Sequence, residues 1–144
     1  MPSEVELDGS SDEHLITFAM CRDHGLRLVG PPAKEVFSPV QTSLVIQALR
    51  NVLSWHKNHL LDPFHDPRGT NSVLNACRAW CYVETERLVS KSAGAKWVLE
   101  QHPNNRLVKA ALLNRQGQCA SDQDPEAIGA FLNRVIRVCD ANLP

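Results

Sequence analysis

An all-α fold is predicted by three features of this sequence. Apolar residues recur at three- and four-residue steps through most of it, helix-start and helix-stop residues bracket those runs, and one short stretch alone reads as a strand. With 144 residues, 43% of them hydrophobic and 22% charged, the chain has the make-up of a single globular domain. A net charge of −1 argues against a broad basic surface for nucleic acid. No apolar run reaches the length of a membrane span, and Glu4, Glu6 and Asp8 are acidic where a targeting peptide would be basic. A cytoplasmic protein is therefore expected.

Residues 1–10 carry few apolar side chains and read as a flexible tail. Ser10-Ser11-Asp12-Glu13 fits a capping box, and Leu15, Ile16, Phe18 and Ala19 describe an amphipathic helix that stops at His24-Gly25. Leu26-Arg27-Leu28-Val29 reads as a strand ended by Gly30-Pro31-Pro32, an orphan because a strand this short needs sheet neighbours.

From Ser38 onward the signals are helical. Ser38 is placed as an N-cap, Pro39 at the first position and Gln41 at the capping-box position, and an apolar face follows from Leu44 and Val45 through Leu53 to Trp55 or His56. His59–Gly69, with Asp62-Pro63 and Asp66-Pro67, reads as a loop. Further helices are expected over 71–88, over 92–101 before His102-Pro103, over 105–116 before Gly117, and from Asp124-Pro125-Glu126 to the C-terminus. The result is a five-helix, bundle-like array over residues 39–144, preceded by one helix and the orphan strand.

On the 71–88 helix, Val73, Leu74, Cys77, Trp80, Cys81 and Leu88 form a core stripe. Beside it Asn71, Asn75, Arg78, Tyr82 and Thr85 follow steps of four, three, four and three, which makes either a solvated face or a polar wall of a cleft. Ser90-Lys91-Ser92 lies at a helix start, where free N–H groups, hydroxyls and an ammonium suit an anion, though the same residues also make an ordinary N-cap. Gly94 in the first turn would permit close approach of a ligand. Five cysteines, an odd number, read as free thiols, with Cys77 and Cys81 as small hydrophobes rather than a metal pair. His56, His59, His65 and Asp66 have a spacing that metals accept, but no supporting partner is identifiable and no metal site is assigned. Asp122-Gln123-Asp124 reads as a turn and N-cap, and Arg134 with Arg137 as a solvated face or a contact to another domain.

The run Asn71-Ser-Val-Leu-Asn-Ala-Cys-Arg78-Ala-Trp80, followed by Ser90-Lys91-Ser-Ala-Gly94-Ala-Lys-Trp97, resembles the C-terminal helical domain of the aminoglycoside (streptomycin/spectinomycin) adenylyltransferases, members of the nucleotidyltransferase superfamily. Arg22-Asp-His-Gly25 through Gly30-Pro31-Pro to Phe37-Ser-Pro39-Val extends the likeness toward the N-terminus. The resemblance implies that residues 11–38 are the last helix and strand of a preceding catalytic domain and that 39–144 are the helical domain. It implies further that Arg78 and Lys91 hold ATP phosphates beside Ser90, that a third nucleotide contact falls near Arg115 where resistance enzymes carry an aromatic, and that Trp55, Asp62 and Asp66 face the antibiotic. The cofactors of the complete enzyme would be ATP and Mg²⁺, and its reaction AMP transfer to an aminoglycoside hydroxyl. A Gly-Ser turn followed by a strand-borne Asp-x-Asp, as such enzymes carry, does not precede residue 12, so this chain alone is expected to be inactive. A nucleotidyltransferase domain or a second copy is the expected partner. The alternative is a non-catalytic interaction or ligand-binding module.

Overall fold

The computed structural model describes residues 9–118 and 124–144. Among them the regular elements are all helices: α1 (Gly9–His24), α2 (Ala33–Val36), α3 (Thr42–Asn58), α4 (Thr70–Thr85), α5 (Lys91–Gln101), α6 (Arg106–Arg115) and α7 (Pro125–Ala141). The all-α expectation and the order of the five helices after residue 39 agree with this arrangement. Residues 1–8 of the expected tail, Cys119 and the pair Asp122-Gln123 lie outside the described residues.

Helix α4 is the hub. It packs against α3, α5, α6 and α7, and Val73, Leu74, Ala76, Cys77 and Ala79 have no exposed surface. A helix touched on so many sides needs apolar residues around most of its circumference, which is why its stripe is wide. Around it, Leu49 and Leu53 of α3, Val98 of α5, Val108 of α6 and Ile128, Leu132 and Val135 of α7 complete one core. Each is fully or almost fully removed from water, a gain of roughly 1.5–3 kcal/mol per large side chain. Trp80 gathers the aromatic part of this core, with Trp97 at 6.4 Å and Phe131 at 6.2 Å between ring centroids. Arg134 is not purely solvated, because its guanidinium lies 4.8 Å over the Trp80 ring. Cys21, Cys77, Cys81 and Cys139 are free thiols, and burial pushes the Cys77 thiol up to about 12.

The orphan strand is not formed. Leu26–Val29 has irregular backbone, and Leu26, Leu28 and Val29 are more than nine-tenths exposed. An isolated strand has no partner for its ladder of N–H and C=O groups, so nothing holds four residues extended. In its place the chain makes the short turn α2, which the periodicity did not signal, and Phe37 then stacks on Phe18 at 5.4 Å while its carbonyl accepts from Arg22 Nε.

Three helix ends also differ from expectation. Helix α1 begins at Gly9, ahead of the expected start. Helix α3 begins at Thr42 with Gln41 as its N-cap and no side-chain cap, because Val40 packs on the core from an extended segment and leaves Ser38 and Pro39 exposed. Helix α4 stops at Thr85, where Glu86 takes a left-handed φ of 53°. Leu88 reaches the core from the connecting loop instead of the helix. By contrast, Ser90, Asn105 and Asp124 each accept a backbone N–H at a helix start, and the Asp124-Pro125 start of α7 is where the sequence places it.

Helix α1 packs on α3 and inserts Ile16 and Ala19 into the same core. His24 Nε2 lies 2.9 Å from the Leu88 carbonyl, tying the end of α1 to the α4–α5 loop. These contacts set α1 beside the α3–α4–α5 groove and so build the fourth wall of the cleft described next.

Candidate functional site

A cleft of about 540 Å³ lies among α1, α3, α4 and α5. Helix α1 contributes Asp12 and Glu13, α3 contributes Asn51, Trp55 and His56, and Asn71, Asn75 and Lys91 come from α4 and α5. One wall is thus acidic and aromatic while the opposite one carries amides and a cation. Asn51 Nδ2 donates to Asp12 Oδ2 at 3.3 Å and holds that carboxylate against α3. Trp55 stacks on His59 at 4.3 Å and meets the edge of His65 at 5.9 Å, which fixes an indole that is still 41% exposed.

The cationic wall depends on how closely α4 and α5 approach. A Cβ at Gly94 would stand 2.8 Å from both the N and Cα of Arg78. The freedom that glycine provides here is therefore used by a helix–helix contact, not by a ligand, and it brings the start of α5 up to Arg78. Lys91 Nζ donates to Asn71 Oδ1 across the helix pair at 3.4 Å. Burial holds the Lys91 ammonium below the usual lysine range, and the positive charges of Arg78 and Arg115 lower it further. Burial also lowers Arg78, although an arginine keeps its proton throughout the physiological range. Arg78 Nη2 donates to Asn75 Oδ1 at 3.0 Å, while its buried Nε has no hydrogen-bond partner among the described residues. Such an orphan donor costs roughly 1–3 kcal/mol unless something accepts from it.

The structure thus brings Arg78, Lys91 and the field of Arg115 together and sets Trp55 on the facing wall. Ser90 lies just beyond: its Oγ accepts from Ala93 N at 3.1 Å and acts as the N-cap of α5. Asp62 is engaged in the loop, accepting from the N–H groups of Phe64 and His65 and from His65 Nδ1 at 2.9 Å. The His65 ring and these two amides hold the Asp62 carboxyl below the usual carboxylate range. Asp66 is buried, 5% exposed, and its oxygens accept from Asn71 N, Ser72 N and Ser72 Oγ. It caps α4 from outside the helix and does not line the cleft. Asp12, Glu13 and Asn51 were missed by sequence reasoning because only the docking of α1 on α3 makes them neighbours of Trp55. Asn71, Asn75 and Tyr82 carry the stated signal, the polar stripe on α4, and the latter two are buried at 4% and 6% exposure rather than solvated.

Among the described residues no three His, Cys, Asp or Glu side chains converge as metal ligands. His56, His59 and His65 surround Trp55, and His56 is spent on hydrogen bonds to Ser72 and Asn75.

The helical domain thus carries a cleft with Lys91 and two amides on one side and Asp12, Glu13 and the Trp55 indole on the other. The chain belongs to the family of C-terminal domains of aminoglycoside adenylyltransferases, whose model matches residues 35–137. It is 32% identical over 103 residues to an aminoglycoside (3'')(9) adenylyltransferase of Klebsiella pneumoniae, and 35% identical over 103 residues to one of Rhizobium radiobacter. Each match covers 71% of this chain, against 36% and 35% of the respective relative, so the chain spans about a third of the length of these curated relatives. Among the described residues no helix is long and apolar enough to cross a membrane.

Proposed function

We propose that this chain forms the nucleotide- and acceptor-binding wall of an aminoglycoside adenylyltransferase, with Arg78 and Lys91 as the phosphate ligands. The observation that carries the reading is the Arg78–Lys91 wall itself. Lys91 lines the cleft, and Arg78 lies close enough to lower the pKa of the Lys91 ammonium. Among the described residues neither cation is in a salt bridge, Glu13 acts on both through its field alone, and Arg78 Nε has no acceptor. A polyphosphate would relieve the repulsion, accept from Nε and be bound by both groups at once. Arg115 adds to the potential at the nucleotide end. The carboxylates of Asp12 and Glu13 beside the Trp55 face suit the ammonium and guanidinium groups of an aminoglycoside. Asp62 and Asp66 contribute by shaping the loop that carries His65 and by anchoring α4.

In the complete enzyme these residues bind and orient, and ATP with Mg²⁺ supplies the transferable AMP. The residues named here are assigned binding and orienting roles, and residues 11–38 are read as the end of the domain that would carry the catalytic groups. Calorimetry with Mg-ATP and with streptomycin tests the reading. Heat with both, lost for ATP in Arg78→Ala and Lys91→Ala, is expected, and an absence of heat with either compound would overturn it. Labelled ATP should give no adenylylated product with this chain alone.

A second reading rests on the bare Leu26–Val29 segment. Exposure of three large aliphatics in four residues favours an interaction module that docks on another chain or domain. Sedimentation across a concentration series separates the two: a stable dimer without nucleotide heat supports this alternative.

A further inference from the structure

Five side chains from three segments form one continuous hydrogen-bond chain. Arg78 Nη2 donates to Asn75 Oδ1 at 3.0 Å, Asn75 Nδ2 lies 2.8 Å from His56 Nε2, His56 Nδ1 lies 3.2 Å from Ser72 Oγ, and Ser72 Oγ donates to Asp66 Oδ2 at 2.7 Å. The two ends determine the direction of every link. A guanidinium has no acceptor, so Asn75 must present its oxygen to Arg78 and its NH₂ to His56. His56 Nε2 therefore accepts, the ring proton sits on Nδ1, and that proton goes to Ser72, whose single hydrogen is already given to the acceptor-only carboxylate of Asp66. His56 is held neutral in one tautomer, in keeping with the lowering of its pKa by burial.

We infer that Asn75 and His56 are positioning residues for Arg78, aligning its guanidinium for the phosphate-binding role proposed above, on which the inference rests. A carboxylate in place of Asn75 would also hold the guanidinium but would cancel its charge. A neutral amide fixes the orientation and leaves the whole charge for an anion. The far end of the chain is anchored, because Asp66 also accepts from the Asn71 and Ser72 amides at the start of α4. Lys91, Glu13, His59 and Asp66 face the imidazole from α5, α1, α3 and the loop, and their opposing influences leave burial as the largest effect on it. Protonating His56 would make Nε2 a donor, turn the Asn75 amide over and direct its NH₂ at Arg78. The added positive charge would thus release the very group that binds the anion.

Long-range ¹H–¹⁵N NMR of the histidine rings in the wild-type chain tests the chain directly and needs no variant. His56 is expected with its proton on Nδ1, and a proton on Nε2 would overturn the inference. Calorimetry with tripolyphosphate at alkaline pH then compares Asn75→Ala, Arg78→Ala and the double variant, with Asn75→Leu as a second, volume-conserving change. Loss of about tenfold in affinity is expected for each Asn75 variant, the worth of one hydrogen bond to a charged group. No further loss is expected in the Arg78→Ala background, whereas an equal loss in both backgrounds would assign Asn75 a merely structural role. If the wild-type chain binds no tripolyphosphate, the phosphate reading fails by itself. The positioning inference is then decided by the His56 tautomer and by whether the Arg78 Nε–H signal broadens in Asn75→Leu.

Discussion

Leu26–Val29 and the first half of α4 invert the usual rule of composition. Leu28 and Val29 stand 93% exposed, while Asn75 and Ser72 are 4% and 0% exposed and reach His56, itself buried. The difference lies in partners rather than hydrophobicity. An apolar side chain is buried only if another element comes to cover it, and none of the described residues covers the 26–29 segment. A polar side chain is tolerated inside when its buried donors and acceptors find partners, and among the described residues the Arg78-to-Asp66 chain leaves one buried atom, Arg78 Nε, without one.

The largest effect expected from breaking this contrast is at Asp66. Asp66→Ala removes three hydrogen bonds and orphans the buried Ser72 and the start of α4, a loss of about 3 kcal/mol measurable by urea unfolding. Gly94→Ala comes next. The new methyl meets Arg78 backbone, which has no rotamer to yield, and the expected cost is about 2 kcal/mol with a weaker phosphate response from the displaced α5.

A smaller effect is expected from pH. Since the folded chain lowers the His56 pKa, the unfolded chain binds more protons around and below the ordinary value of 6.5. The stabilising contribution of neutral His56 is therefore complete above that pH and lost as pH falls below it. Unfolding midpoints from pH 8 to pH 5 should decline for the wild type, and His56→Asn should remove part of that slope. The smallest change belongs to the bare segment: Leu28→Ser should alter stability by less than about 0.5 kcal/mol. A larger loss that grows with protein concentration would mean that a second copy covers Leu28, and would remove the contrast between the two regions.

The sequence carried much of this in readable form. Helical periodicity in α3 and α7, the Asp124-Pro125 start and the Ser90 cap depend on neighbours within a turn or two, and local rules suffice for them. The polar stripe on α4 named Asn71, Asn75 and Arg78 before any fold was known. Read locally, though, a short run such as Leu26-Arg27-Leu28-Val29 looks the same whether or not a sheet exists to receive it, so it could not be told from a strand. Asp66 was legible as an acidic loop residue but not as a buried cap, because the amides it accepts from belong to a helix whose path the loop itself sets.

What the sequence by itself determined was the all-α class, the order of the five later helices and the polar stripe along α4. Tertiary structure alone decided that α1 lays Asp12 and Glu13 across from Lys91, that Gly94 is filled by Arg78 backbone, and that His56 joins Arg78 to Asp66. The physical reason is range. Helix propensity and capping act over a few residues, whereas the cleft is made by segments tens of residues apart whose meeting depends on how whole helices pack.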